Sequence, residues 1–155
     1  MSILYLEDFA PGQHFVGRTR TRIEEDRIKT FASEFDPQPF HLDEAAAKAS
    51  IFGGLAASGW HTAAVTMRLV VDSEFQPAGG IIAAGFDELR LPRPVRPGDE
   101  LRVETEVLDV RPSKSRPEQG LVKVRTSSLN QDGFAVLIFV VNLVVPRRAT
   151  SPLAT

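Results

Sequence analysis

A helix that is apolar around nearly its whole circumference cannot lie on a surface; something has to wrap it. Residues 58–71, Ser-Gly-Trp-His-Thr-Ala-Ala-Val-Thr-Met-Arg-Leu-Val-Val, have that character. Ser58 or Gly59 opens the helix, and Trp60, Ala63, Ala64, Met67, Leu69, Val70 and Val71 spread over most of its faces. Hiding all of them requires a curled sheet or a second subunit.

The C-terminal half of the chain supplies the sheet. After Pro77-Ala78-Gly79-Gly80 come four segments rich in β-branched and aliphatic residues, Ile81–Leu91, Glu100–Arg111, Gly120–Leu129 and Phe134–Val145. Pro97-Gly98-Asp99 separates the first two, Pro112–Gln119 is a longer polar loop, and Asn130-Gln131-Asp132-Gly133 closes a hairpin. Upstream, residues 13–21 come after a Pro11-Gly12 turn signal and predict a first strand. Glu24-Glu25-Asp26 suits a helix N-terminus, and Ile28, Phe31, Ala32 and Phe35 form one stripe that must stop at Asp36, before Pro37. A short helix from Asp43, its cap, to about Ala49 is favoured by four alanines. This order predicts an α+β fold, an antiparallel sheet around one long buried helix. With 155 residues and neither repeat nor linker, the chain reads as one domain with a frayed tail from Pro146.

Composition removes several function classes. A net charge of −2 gives no global field for nucleic acid. The absence of cysteine removes disulfides, thiolate metal sites and thiol nucleophiles, and three histidines (His14, His41, His61) make a structural zinc site an unexpected outcome. No Gly-X-Gly-X-X-Gly comes after a strand and no cluster of metal-ligating residues stands out, so neither a redox cofactor nor a metal is expected. The N-terminus lacks the pattern of a signal peptide, and the apolar runs are interrupted or short, so a soluble, cytoplasmic protein without a membrane partner is expected.

The densest polar constellation is Asp36-Pro37-Gln38-Pro39-Phe40-His41. Two prolines fix φ and remove backbone donors, which predicts a stiff, extended connection holding Asp36, Gln38 and His41 at defined separations. Histidine, with an unperturbed pKa of about 6.5, moves protons near neutral pH. Aspartate, at about 3.9, is a poor base unless desolvated or coupled to a neighbour. On these residues alone, an ordinary turn beside a packed histidine is the simpler reading, and a catalytic pair stays open.

The wider sequence adds a resemblance. Phe35-Asp36-Pro37-Gln38-Pro39-Phe40-His41-Leu42-Asp43, then Phe52-Gly53-Gly54-Leu55-Ala56-Ala57-Ser58-Gly59-Trp60-His61-Thr62, resembles the MaoC-like family of hot-dog-fold (R)-specific enoyl-CoA hydratases and acyl dehydratases. The family's motif runs Asp, any residue, Asn, Pro, an aliphatic residue, His. Asp36, Pro39 and His41 match it, Phe40 stands for the aliphatic residue, and Gln38 replaces the asparagine. Leu91-Pro92-Arg93-Pro94-Val95-Arg96-Pro97-Gly98-Asp99 is similar to the family's later strand and turn, so the likeness spans roughly residues 10–146. Ser58 stands where the family usually has histidine, and Met67, beside Thr66, falls near a position where some hydratases carry serine.

The resemblance implies a hot-dog fold, a homodimer or higher oligomer, and a thioester tunnel near the subunit interface. The partner is an acyl-CoA or an acyl carrier protein thioester, with coenzyme A entering as part of the substrate and not as a cofactor. Asp36 and His41 are the implied catalytic pair that holds and activates water, and the Gly59 N–H is implied to bind the thioester oxygen. The first amides of a helix are indeed unpaired donors at the positive end of its dipole, and a glycine there admits close approach. Gln38, Phe52, Ser58, Trp60, Arg93 and Arg96 are the candidate substrate-binding residues.

Other residues have two readings. His61 lines the acyl pocket or is structural, Trp60 is pocket wall or core, and His14 is an exposed strand residue. Phe52, Leu55, Trp60 and Met67 suggest an apolar acyl pocket. Arg90, Arg93 and Arg96, with Lys114 and Arg116, anchor coenzyme A phosphates or simply charge a strand edge. Two other functions stay open: a hot-dog thioesterase, although the long helix has no Asp or Glu before Asp72, and a non-catalytic subunit that binds acyl thioesters.

Overall fold

The computed structural model describes residues 2–149. Two short strands come first, β1 (His14–Val16) and β2 (Thr21–Arg22), where a single strand over 13–21 was expected. Both pair with the same later strand, and the register explains the break. Val16 faces Glu104 and Thr21 faces Leu101, so five steps along the first segment oppose three along its partner, and the surplus must bulge out.

Four helices come next: α1 (Glu25–Phe35), α2 (Pro39–Leu42), α3 (Glu44–Lys48) and α4 (Gly59–Val71). Asp43 caps α3 by accepting the Ala46 N–H at 2.9 Å, as its sequence position predicts. The four long strands then appear close to their expected limits, as β3 (Ala83–Arg90), β4 (Glu100–Pro112), β5 (Gln119–Leu129) and β6 (Ala135–Pro146).

The six strands form one antiparallel sheet in the order β1-β4-β5-β6-β3, with β2 also on β4. Consecutive hairpins account for β4-β5-β6, with Thr105 opposite Thr126 and Val124 opposite Val141. Alternate residues of β5 are buried, which gives the sheet one apolar face, and α4 packs on it against β4 and β6. Ile28 of α1, Leu69 and Val70 of α4, Phe75 and the valines 103, 122 and 124 meet in the core. This is the α+β, hot-dog arrangement of helix and sheet.

The wrapping of α4 is incomplete within one chain. Thr62, Thr66, Leu69 and Val70 are buried, whereas Trp60 is 64% and Val71 49% exposed. Every residue of β3, an edge strand paired among the described residues only with β6, is also exposed, including Phe86 and Leu89. Within one chain the sheet covers one side of α4 and leaves an apolar side open, so of the two ways of hiding the whole helix, a curled sheet and a second subunit, the sheet alone does not suffice.

The end of the chain also differs from expectation as far as Ala149. β6 runs to Pro146, Arg147 N donates to Glu118 O at 2.8 Å, and Arg148 pairs with Asp8 at 2.7 Å. These contacts tie residues 146–148 to the body; the remainder of the predicted frayed tail, residues 150–155, lies outside the described residues. No described helix is long and apolar enough to cross a membrane.

Candidate active site

The site begins where α1 stops. Asp36 N closes the last turn on Ala32 O at 2.9 Å, and Asp36 itself leaves helical geometry (φ −150°, ψ 65°) ahead of Pro37. The next segment is not the extended connection its prolines suggested. Pro39 occupies the first position of the one-turn helix α2, where a missing N–H costs nothing and a fixed φ is already helical. That turn swings His41 inward, to 4% exposure, with its ring 4.6 Å from that of Phe40 and 6.2 Å from that of Phe52.

His41 is held at both nitrogens. Nδ1 lies 2.6 Å from the carbonyl oxygen of Ala56, and Nε2 lies 3.3 Å from Asp36 Oδ2. A carbonyl can only accept, so Nδ1 carries a proton, and in the neutral form of the ring an Nε2 lone pair is directed at the carboxylate. Two acceptors thus converge on one small volume.

Asp36 is fixed from two further directions. Ser58 Oγ donates to Oδ2 at 2.7 Å, and the Gln38 side-chain amide donates to Oδ1. These donors hold the Asp36 carboxyl below the usual carboxylate range: the Ser58 hydroxyl contributes most, burial opposes it, and the Gln38 amide and, when the ring is protonated, the His41 charge add to the lowering. Ser58 is fully buried and also accepts the Trp60 N–H at 3.2 Å, so one hydroxyl caps α4 and orients Asp36. Among the described residues, the Gly59 N–H has no acceptor, as expected at the first position of a helix.

Two adjoining clefts meet at Gly59. One, of about 380 Å³, is lined by residues that include His41, Gln38, Phe52, Gly59, Leu91 and Arg93. The other, of about 190 Å³, is lined by Asp36, Gly59, Trp60, Leu89 and Leu91. A side chain on Gly59 would place its Cβ 2.6 Å from Leu91 Cδ1, so glycine lets the tip of the half-exposed Leu91 side chain lie against the start of α4. A larger cleft, about 460 Å³, is lined by residues of α1 and α4 including His61, and contains neither Asp36 nor His41.

Asp36, Gln38, His41, Phe52, Ser58, Gly59, Trp60 and Arg93 therefore lie in or beside one site. Trp60 is an exposed wall of the Asp36 cleft and not core. Arg93 sits at the His41 cleft with its guanidinium 3.9 Å from the centroid of the Phe134 ring. Arg96 differs from expectation: among the described residues its guanidinium contacts are the carbonyl oxygens of Phe52, Gly54 and Leu55. Lys114 and Arg116 do not join the arginines around residue 93. The β4–β5 hairpin that carries them lies at the end of the sheet where Pro112 faces Gly120, whereas Arg90 faces Ile138 near the opposite end.

The apolar residues proposed for an acyl pocket also divide. Leu55 is buried in the core, whereas Met67, itself 38% exposed, borders a small apolar cleft with Phe75, Phe86 and Phe139. His61 is buried, stacked on Phe31 at 4.8 Å, and its Nδ1 has no partner among the described residues. His14 is exposed. Sequence reasoning missed Ala56, which acts through a backbone carbonyl that any residue would supply. It also missed Leu91, whose role depends on a contact across 32 residues of chain with Gly59.

The chain has relatives among known proteins. The family model described as "MaoC like domain" matches residues 8–130. The chain is 36% identical over 126 residues to the uncharacterized protein YdeM of Bacillus subtilis, covering 81% of this chain and 87% of that one. A MaoC-like dehydratase structure from Rhodospirillum rubrum superposes with a TM-score of 0.91 at 57% identity, over 95% of this chain and 99% of that one. The unliganded R-hydratase PhaJ1 of Pseudomonas aeruginosa superposes with a TM-score of 0.71 at 28% identity, over 97% and 95% of the two chains.

Proposed function

The chain belongs to the MaoC-like domain family, and from that premise we propose that it interconverts 2-enoyl and 3-hydroxyacyl thioesters by adding or removing water. The observation that carries this reading is the pair of acceptors, Asp36 Oδ2 and His41 Nε2, 3.3 Å apart beside an unpaired helix N–H at Gly59.

A water placed between the two acceptors donates one hydrogen to each, which leaves an oxygen lone pair free to attack the β-carbon of an enoyl thioester. Asp36 is ionised, and its depressed pKa makes it a weak proton acceptor, so His41 Nε2 takes the proton as the carbon–oxygen bond forms. The carboxylate then faces an imidazolium and stabilises it. Charge that develops on the thioester oxygen is met by the Gly59 N–H, backed by the dipole of the 13-residue helix α4. The imidazolium returns the same proton to the α-carbon, so atoms and charge balance over the cycle. Dehydration runs the steps in reverse.

Phe52 and Trp60 flank the acyl path in this reading, and Arg93 at the cleft mouth is the cation placed to meet an anionic carrier, coenzyme A or a carrier protein. Gln38 and Ser58 act on Asp36 and not on the acyl chain. The exposed apolar side of α4 and the free edge of β3 support assembly as a homodimer, with the partner covering Trp60 and Met67. The reading is tested by following loss of conjugated enoyl absorbance across a panel of trans-2-enoyl-CoA thioesters of increasing length. Formation of the 3-hydroxyacyl product supports hydration. Release of free thiol would indicate a thioesterase, and binding without turnover a non-catalytic acyl-binding subunit.

A further inference from the structure

Arg96 has no place in the chemistry above, yet its side chain reaches 41 to 44 residues back along the sequence to hold one turn. Nη1 donates to Gly54 O at 2.8 Å and Leu55 O at 3.3 Å, and Nη2 donates to Phe52 O. Gly54 makes room for this fork, since a Cβ there would lie 3.2 Å from Nη1. Arg96 is itself fixed: its backbone N–H donates to Asp99 Oδ2 at 2.9 Å, and the buried Asp99 takes the Gln131 amide on its other oxygen.

The held turn leads directly into Ala56. Residues 52, 54 and 55 are gripped by the guanidinium, and on the far side Ala57 N donates to Val95 O at 2.9 Å. Between these grips, Ala56 N donates to Phe40 O at 3.3 Å, and Ala56 O faces His41 Nδ1 at 2.6 Å. Segment 95–96 thus brackets the one carbonyl that decides which nitrogen of His41 is protonated.

That decision is contested within the site. A carboxylate is a stronger acceptor than an amide carbonyl, so a neutral His41 free to choose would put its proton on Nε2 and donate to Asp36. In that tautomer Nε2 has no lone pair and cannot take a proton from water. We propose that Arg96 is a positioning residue, which locks the Phe52–Leu55 turn so that Ala56 O holds the proton on Nδ1 and keeps Nε2 free as the base. The structural part stands by itself; its catalytic consequence rests on the hydratase reading. Lysine cannot substitute fully, because a single ammonium lacks the planar fork that serves three carbonyls at once.

The test is a long-range proton–nitrogen spectrum of uniformly ¹⁵N-labelled protein without substrate, for wild type, Arg96→Ala and Arg96→Lys, with His41→Gln to assign the signal among three histidines. Wild type is expected to show a protonated Nδ1 and an unprotonated Nε2 on His41. Arg96→Ala is expected to shift population to the Nε2–H form, and Arg96→Lys to shift it less. Turnover of an enoyl thioester should fall at least about tenfold in kcat in Arg96→Ala with KM little changed, the pattern of a misplaced tautomer. Circular dichroism melts check folding; if Arg96→Ala does not fold, Arg96→Lys carries the comparison. An unchanged His41 spectrum in a folded variant, or an Nε2–H form in wild type, overturns the proposal. Absence of turnover by wild type would instead count against the hydratase reading, with the spectrum still deciding the role of Arg96.

Discussion

Ser58 Oγ lies 2.7 Å from Asp36 Oδ2 while accepting the Trp60 N–H, so one buried hydroxyl sets both the start of α4 and the charge state of the carboxylate 22 residues earlier. Where the family resemblance leads one to expect a histidine, serine supplies a neutral donor. Ser58→Ala is expected to lose about 1 kcal/mol of stability through the cap. It should also raise the Asp36 pKa, because the hydroxyl is the largest cause of the lowering. A depressed carboxyl stabilises the folded state above its unfolded pKa and loses that contribution as pH falls through its folded pKa. The acid limb of the pH–rate profile and the acid unfolding midpoint should therefore both move to higher pH in Ser58→Ala, measured by steady-state kinetics and by fluorescence of Trp60.

Gly59 and Leu91 make a second pair whose coupling can be read. Gly59→Ala places a methyl 2.6 Å from Leu91 Cδ1, so the half-exposed Leu91 side chain has to turn aside, at a cost of about 1 kcal/mol. Leu91→Ala in the same chain should return part of that loss. Denaturant titration of the two single variants and the double variant checks this; strictly additive losses would show that the two side chains do not meet.

The imidazole of His61 gives a pH signature separate from that of Asp36. Burial, and then the Arg27 charge, lower its pKa. The unfolded chain therefore binds the proton more readily, so stability falls as pH drops below about 6.5, the unfolded value, towards the folded one. His61→Phe keeps the stack on Phe31 and removes a buried Nδ1 that has no partner among the described residues. Melting temperature plotted against pH should be flatter for His61→Phe than for wild type just below pH 6.5; parallel curves would refute the assignment.

The exposed side of α4 predicts assembly. Met67→Glu puts a charge on the uncovered helix face, and Phe86→Arg puts one on the free strand β3. Light scattering after size-exclusion chromatography should show a dimer for wild type and a shift towards monomer in both variants. A wild-type monomer would leave these faces for another partner.

Much of this architecture was legible in the sequence because it rests on short-range rules. Pro37 fixed the end of α1, Asp43 and Ser58 marked helix starts, and the four late strands fell within about two residues of their predicted limits. The pair Asp36 and His41 was legible from two prolines and a family motif. What could not be read was set by distant backbone. The α2 turn that buries His41 depends on packing that local rules do not contain, and proline is compatible with either an extended or a first-turn position. The orientation of His41 comes from the carbonyl of Ala56, which leaves no trace in residue type. Both readings of Arg96, a phosphate anchor or a charge at a strand edge, took its guanidinium to face solvent, as an arginine in a turn ordinarily does; Gly54 and the carbonyls around it give it a different set of contacts.

Hydration as proposed requires two acceptors, Asp36 Oδ2 and His41 Nε2, acting on one water. The direct measurement is kcat/KM for hydration of a trans-2-enoyl-CoA by wild type, Asp36→Asn and His41→Ala, each checked for intact fold. A loss of about a hundredfold or more in both variants is the expected result. Folded variants that hydrate the thioester at the wild-type rate would contradict the assignment of this pair.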